Sequence, residues 1–234
     1  MIDVPHKPRS PLDRELTVLR DGVLKLSYAV DRAIESSVQA LKEQNVELAR
    51  QVIADDEGIN AARFELEKKC YMLLATQQPT ARDMRSIVTA IHIVVELERI
   101  GDHAKSVAKL AIELSKEPLL KPLVDIPRME QVCREMLQAS LNAYLNWDAA
   151  QAESTISRDD EVDRLDDQVY RELLSFMLQD QRTINQATYL LWVSHNLERI
   201  ADRITNICER VTFMVTGEVG EKADDDSMPH HPWS

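Results

Sequence analysis

The sequence predicts an all-α protein built from two tandem, pseudo-repeated three-helix bundles with six main helices. Three observations lead to this fold class. Only five of the 234 residues are glycine, whereas sheet proteins need turn glycines at short intervals. Apolar residues recur in steps of three and four over long segments, which is the spacing of one helix face. The segment Leu97–Asp102 also returns almost letter for letter as Leu197–Asp202, which indicates an internal duplication.

Helices account for nearly all of the first half of the chain. Ser10 stands at an N-cap position with Pro11 in the first turn after it, and Pro79 ends a later helix because it cannot continue the backbone hydrogen bonds. Acidic residues at 55–57 indicate a helix start, since carboxylates are favourable in a first turn. The predicted helices span residues 11–44, 46–53, 55–77 and 81–116.

Three prolines interrupt the helical pattern, and the same plan then restarts. The helices predicted for the second half span residues 129–147 and 149–157, a segment opening at 159, and residues 183–215. The predicted domains are a first three-helix bundle at 1–117, a proline-containing linker at 118–127, a second three-helix bundle at 128–216 and an acidic disordered tail at 217–234.

Composition excludes several classes of function. The formal net charge of −12, from 28 Lys and Arg against 40 Asp and Glu, repels a phosphate backbone, so no nucleic-acid partner is expected. No apolar run reaches the length of a membrane span, and the first residues lack the apolar segment of a secretory signal. Three cysteines without CxxC spacing predict neither disulfides nor a zinc site. We therefore expect a cytoplasmic protein, and the absence of nucleophile or phosphate-loop motifs predicts that it is not an enzyme.

The duplicated motif places two carboxylates four residues apart in each half, at Glu98/Asp102 and at Glu198/Asp202. On a helix the two carboxylates lie on one face, one turn apart, and they repel each other unless a cation lies between them. Oxygen ligands select hard cations, so Mg²⁺, Mn²⁺ or iron would suit these positions better than Zn²⁺. On spacing alone, a solvated ion-pair face is the more common explanation of such a pair, and the duplication of the motif counts against it.

Further oxygen ligands follow from neighbouring positions. Glu209 continues the stripe of the second motif. Acidic residues at the predicted starts of neighbouring helices belong to the same repeat as each carboxylate pair. The candidate metal ligands are Glu98, Asp102, Glu198, Asp202, Glu209, Asp56, Asp159 and Asp163. No catalytic residue and no organic cofactor site is predicted.

The sequence resembles the PhoU family of bacterial phosphate-uptake regulators from about residue 12 to residue 215. The resemblance is carried by the segments Gln78–Arg85, Glu96–Asp102, Leu197–Asp202 and Asn206–Glu209. The family's signature of an acidic residue followed four positions later by Asp falls on both duplicated carboxylate pairs. Ala201 stands where the family frequently has Gly, which leaves the ligand positions intact.

This resemblance implies paired three-helix bundles, often dimeric, with metal ions on the carboxylate faces. It also implies a cytoplasmic, peripheral protein that reaches the membrane only through its partners. Those partners would be the ATPase subunit of the phosphate ABC transporter and the sensor histidine kinase of the phosphate response. The expected function is negative regulation of phosphate uptake and of the phosphate-starvation response.

Two other interpretations of the residues stay open. A carboxylate-bridged dimetal enzyme would need Glu-x-x-His motifs on facing helices, and the sequence offers only the reversed spacing His195–Glu198. Alternatively, the protein is a purely structural dimeric adaptor, and its acidic motifs are ion pairs.

Overall fold

The structure, a computed structural model, describes residues 11–218, and this part of the chain is helical with no strand. The helices are α1 Pro11–Glu43, α2 Val46–Thr76, α3 Ala81–Leu114, α4 Asp125–Asn146, α5 Ala149–Ile156, α6 Asp159–Gln179 and α7 Ile184–Thr216, with a 3₁₀ turn at Gln181–Thr183 before α7. The predicted all-α class is therefore confirmed. The predicted N-cap Ser10 and the predicted tail from residue 219 onward lie outside the described residues.

Two predicted helix boundaries differ from the structure. The helices expected at 46–53 and 55–77 are one continuous helix, α2, because neither Pro nor Gly separates them. Asp56 consequently lies in the middle of a helix and not at its start. α4 begins at Asp125, inside the predicted linker 118–127. Pro127 is tolerated there because the first backbone N–H groups of a helix have no helical acceptor.

The internal repeat is visible in the way helices join. Gln44 and Trp147 both adopt left-handed backbone conformations, with φ of 51° and 57°. The next residue in each half caps the following helix: the Asn45 side chain accepts a hydrogen bond from Leu48 N, and that of Asp148 accepts one from Gln151 N. The corner between α1 and α2 thus recurs between α4 and α5. We call α1–α3 the first unit and α4–α7 the second unit.

The two units pack on each other through the antiparallel helices α3 and α7. Arg203 of α7 lies 3.6 Å from Glu96 of α3, and His103 Nδ1–H donates to Asn196 Oδ1 at 3.0 Å. Glu96 and Asn196 occupy equivalent positions of the repeat, as do His103 and Arg203. A pseudo-twofold axis therefore passes between α3 and α7.

A second contact lies on this axis, between α1 and α4. Asp31 and Arg134 stand the same number of residues before their corners, and they bind each other through two hydrogen bonds of 3.0 Å. Glu35 accepts a further hydrogen bond from Arg134 at 2.8 Å. Side chains buried on helices of both units form one continuous apolar core. The units are repeats in sequence, but they share a single interior.

Trp147 connects its corner in the second unit to the first unit. Its ring lies 4.5 Å from the Arg82 guanidinium carbon and 5.8 Å from that of Arg20. Cation–π contacts of this kind contribute about 0.5–2 kcal/mol, depending on desolvation. None of the described helices is both long enough and apolar enough to cross a bilayer.

Candidate functional site

Each unit carries polar and charged side chains where its middle helix packs against its last helix. The first face comprises Asp56, Asn60 and Arg63 of α2 with Glu98, Asp102 and Lys105 of α3. The second face comprises Asp159, Asp163 and Asp166 of α6 with Glu198, Asp202 and Thr205 of α7. Members named in the same order occupy equivalent positions of the repeat.

The first face depends on a close approach of α2 to α3. A Cβ atom at Gly101 would lie 3.2 Å from Ile59 Cγ2 and 3.8 Å from Asp56 Oδ1. The missing side chain lets α2 come near enough for Asp56 to be buried against α3, where it is 3% exposed. The equivalent position in the second unit is the fully buried Ala201.

A lysine holds the carboxylates of the first face. Lys105 Nζ donates to Asp56 Oδ2 at 2.6 Å and lies 3.9 Å from Asp102 Oδ1. Asn60 Nδ2 donates to the same Asp56 oxygen at 3.1 Å. The hydrogen bond to Asp56 raises the pKa of Lys105, so its ammonium stays charged. Asp56 and Lys105 of the first face thus form a hydrogen-bonded ion pair.

Glu98 completes the first face under opposing influences. Burial raises the pKa of this carboxyl, and the charge of Asp102 adds to the effect. The guanidinium of Arg63 acts in the opposite direction and favours the carboxylate. Arg63 also lies 3.3 Å from Glu67 Oε2. Two cations, Arg63 and Lys105, therefore serve the first face.

Glu198 is a strongly perturbed carboxyl of the second face. Its Oε2 is buried and accepts no hydrogen bond, although Arg199 Nε lies 3.3 Å away and His195 Nδ1 3.4 Å away. Burial lowers the pKa of His195, so its ring is neutral near pH 7. Burial of Glu198, together with the charge of Asp202, raises the pKa of Glu198 to about 7. This glutamate lacks the lysine that serves the first face.

The carboxylates of α6 add to this accumulation of negative charge. Asp166 and Asp163 both act on Glu198. Asp166 Oδ1 accepts a hydrogen bond of 2.5 Å from Ser194 Oγ, which fixes its position. Asp163 is solvent-accessible, yet partial desolvation and the charge of Asp202 raise its pKa. Arg199, whose Nη1 lies 3.0 Å from Asp202 Oδ2, is the cation paired with this face.

The structure groups the predicted ligands unevenly. Asp159, Asp163, Glu198 and Asp202 lie on the second face, whereas Asp56, Glu98 and Asp102 lie on the first face. Glu209 lies seven residues beyond Asp202, roughly 10 Å along the helix, and is not among the charges that act on Glu198.

One member of the second face escaped the sequence prediction. Asp166 lies one helical turn beyond Asp163, so the spacing of three residues could have identified it. Within residues 11–218, no three His, Cys, Asp or Glu side chains converge closely enough to hold a metal ion.

Comparison with known proteins gives the family of this chain. The family model described as "PhoU domain" matches residues 23–111 and 126–211. The chain belongs to the PhoU family. The two matched segments fall on the first and second units, and each contains one of the duplicated carboxylate pairs. The resemblance predicted from the sequence motifs is confirmed.

Named members of the PhoU family match over most of their length. The phosphate-specific transport system accessory protein PhoU homolog of Aquifex aeolicus is 38% identical over 208 residues, which cover 89% of this chain and 94% of the relative. The homolog of Deinococcus radiodurans is 34% identical over 209 residues, covering 89% and 98%. The crystal structure of PhoU from Pseudomonas aeruginosa superposes with a TM-score of 0.84 at 33% identity, covering 88% of this chain and 99% of that structure.

Proposed function

We propose that the protein is a non-enzymatic accessory regulator of phosphate transport. The observation that supports this is the similarity, along nearly the whole chain, to relatives named as accessory proteins of the phosphate-specific transport system. We propose that it is a cytoplasmic protein and that it acts as a negative regulator of phosphate uptake. A homodimer of the protein would link the ATPase subunit of the phosphate ABC transporter to the sensor histidine kinase, and would hold the starvation response off when phosphate is plentiful.

A deletion strain of the source organism tests the regulatory role. Such a strain is expected to make alkaline phosphatase in excess phosphate, because the kinase is no longer restrained. A plasmid with the wild-type gene should silence this activity, whereas an empty vector should not. Alkaline phosphatase that stays low in the deletion strain would contradict the proposed function.

We further propose that the second face binds a hard divalent cation or iron. The charges of Asp202, Asp166 and Asp163 act on the buried Glu198 there, and Glu198 Oε2 accepts no hydrogen bond, so a cation would offset the charge and bind the orphaned oxygen. Glu198 and Asp202 of α7, with Asp163 and Asp166 of α6, are the residues that would hold it. A bound ion supplies positive charge that offsets their repulsion and ties α6 to α7.

The metal proposal predicts a large loss of affinity when the α7 ligands are neutralised. The double variant Glu198→Gln/Asp202→Asn should bind Mn²⁺ at least about tenfold more weakly than wild type, a change of about 1.4 kcal/mol in binding free energy. Isothermal titration calorimetry measures this directly. Glu209→Gln is the matched control on the same helix and should titrate like wild type. An unchanged titration in the double variant would overturn the metal proposal.

The same double variant connects the metal to regulation. Introduced into the deletion strain, it should leave alkaline phosphatase high if the metal-bearing face is needed for repression. Circular dichroism of the purified variant must show unchanged helix content. The contrary outcome is a folded double variant that lowers alkaline phosphatase activity as fully as wild type does. That result would leave the proposed regulatory role in place, and it would reject the requirement for the metal in repression.

A further inference from the structure

The two faces are equivalent in position but differ in charge, and the second face is the more negative. Among the six equivalent positions, three carboxylates and two cations belong to the first face and five carboxylates and no cation to the second. The cation of the second face, Arg199, lies outside these positions and pairs with Asp202. The difference arises at three of the six positions. Asn60 corresponds to Asp163, and the cations Arg63 and Lys105 correspond to Asp166 and Thr205.

The lysine of the first face lies where its carboxylates meet. Its ammonium is 2.6 Å from Asp56 Oδ2 and 3.9 Å from Asp102 Oδ1, and its charge also acts on Glu98. Thr205 supplies no such group, since its hydroxyl donates to the backbone carbonyl of Asp202.

Burial makes the Lys105–Asp56 pair a fixed part of the packing. The Asp56 side chain is 5% exposed and that of Lys105 27% exposed. A carboxylate this deep is costly without a partner, so removal of the lysine would leave an uncompensated charge. Asn60 donates a further hydrogen bond to the same oxygen of Asp56. The position that a cation would occupy on this face is filled by the chain itself.

We infer that the first face is a metal-independent joint in which the Lys105 ammonium takes the place of an ion, so that this chain carries its metal on the second face alone. The first part of the inference stands on the contacts of the first face. The second part rests on the metal site proposed above for the second face.

An exchange of residues between the faces tests the inference. The variant Arg63→Asp/Lys105→Thr replaces both cations of the first face by the residues at the equivalent positions of the second, and it should double the Mn²⁺ bound per chain after equilibrium dialysis. In EDTA its unfolding temperature should fall below that of wild type, and Mn²⁺ should restore it. Lys109→Thr, one turn further along α3, is the control and should change neither quantity. If the double variant does not fold, the single variant Lys105→Thr is tested in the same way.

Neutralising the wild-type carboxylates separates the two faces. Glu98→Gln/Asp102→Asn should leave Mn²⁺ binding unchanged, whereas Glu198→Gln/Asp202→Asn should weaken it at least about tenfold. The inference is overturned if the first of these variants loses metal, or if the folded exchange variant gains none. Wild-type protein that binds no Mn²⁺ would reject the proposed second-face site only, because gain of binding by the exchange variant would still support the role of Lys105.

Discussion

Replacing Glu198 by glutamine is expected to stabilise the metal-free protein at pH 8 by roughly 3 kcal/mol. Burial and the carboxylates of Asp202, Asp166 and Asp163 raise the pKa of Glu198 from 4.5 to about 7 in the folded state. Its ionised form is therefore less favourable in the folded protein than in the unfolded chain. Arg199 opposes this shift, but it does not cancel it. Glutamine has nearly the same shape and no charge.

The sign of the pH dependence follows from the direction of this shift. Below pH 4.5 the group is protonated in both states, so its contribution to the pH dependence is absent there. Between pH 4.5 and pH 7 the unfolded chain loses its proton first, and the free energy of unfolding of wild type falls as pH rises. Above pH 7 Glu198 is ionised in both states, and the wild-type protein carries the full destabilisation caused by its buried charge. The advantage of Glu198→Gln should therefore grow between pH 5 and pH 8.

Urea unfolding in EDTA at several pH values measures this effect. Glu209→Gln provides the control and should not reproduce the pH-dependent gain. A stability difference between Glu198→Gln and wild type that stays constant from pH 5 to pH 8 would contradict the explanation. Addition of Mn²⁺ should reverse the order at pH 8, because only wild type then keeps its buried glutamate as a ligand.

Truncating Leu97 to alanine should lower the free energy of unfolding by about 2–5 kcal/mol, the usual cost of removing a fully buried leucine. Leu97 is 0% exposed and lies on α3, the helix of the first unit that packs against α7. Because the two units share one core, the loss should lower the stability of both together. A single unfolding transition at lower urea is the expected result.

Two probes report on this transition. Circular dichroism follows the helices of both units, and in a Trp147→Phe/Trp233→Phe background the fluorescence of Trp192 follows the second unit. Their midpoints should coincide in Leu97→Ala as in wild type. Val18→Ala is the control, since Val18 is 52% exposed and its truncation should change stability by no more than about 0.5 kcal/mol. Separate midpoints for the two probes would mean that the units unfold independently.

Local patterns were enough to predict the helices and the duplication. The apolar stripes and the repeated Leu-Glu-Arg-Ile segment are features of neighbouring residues, and they carry the fold class. The break expected before Asp55 was wrong because an acidic cluster is compatible with the interior of a helix as well as with its start. The assignment of Pro127 to the linker was wrong for a similar reason, since a proline is tolerated in the first turn of a helix as well as outside a helix.

The candidate sites depend on contacts that sequence spacing does not contain. Lys105 was not among the predicted site residues, because its bond to Asp56 joins α2 to α3 across 49 residues. The absence of a side chain at Gly101 permits the close approach of α2 to α3 on which that contact depends. Spacing along one helix can show that Glu98 and Asp102 share a face. Only the neighbouring helix shows whether a cation already lies there.

The Asp31–Arg134 contact has a consequence for the ancestry of the chain. These residues occupy the same place in the two repeats and meet at the pseudo-twofold axis. Two copies of the first unit, assembled in this way, would bring two aspartates together, and two copies of the second would bring two arginines together. At this contact each unit is therefore complementary in charge to the other unit and not to a second copy of itself. A single chain that contains both halves is not bound by the identity that a symmetric dimer imposes, so its two halves can carry different faces.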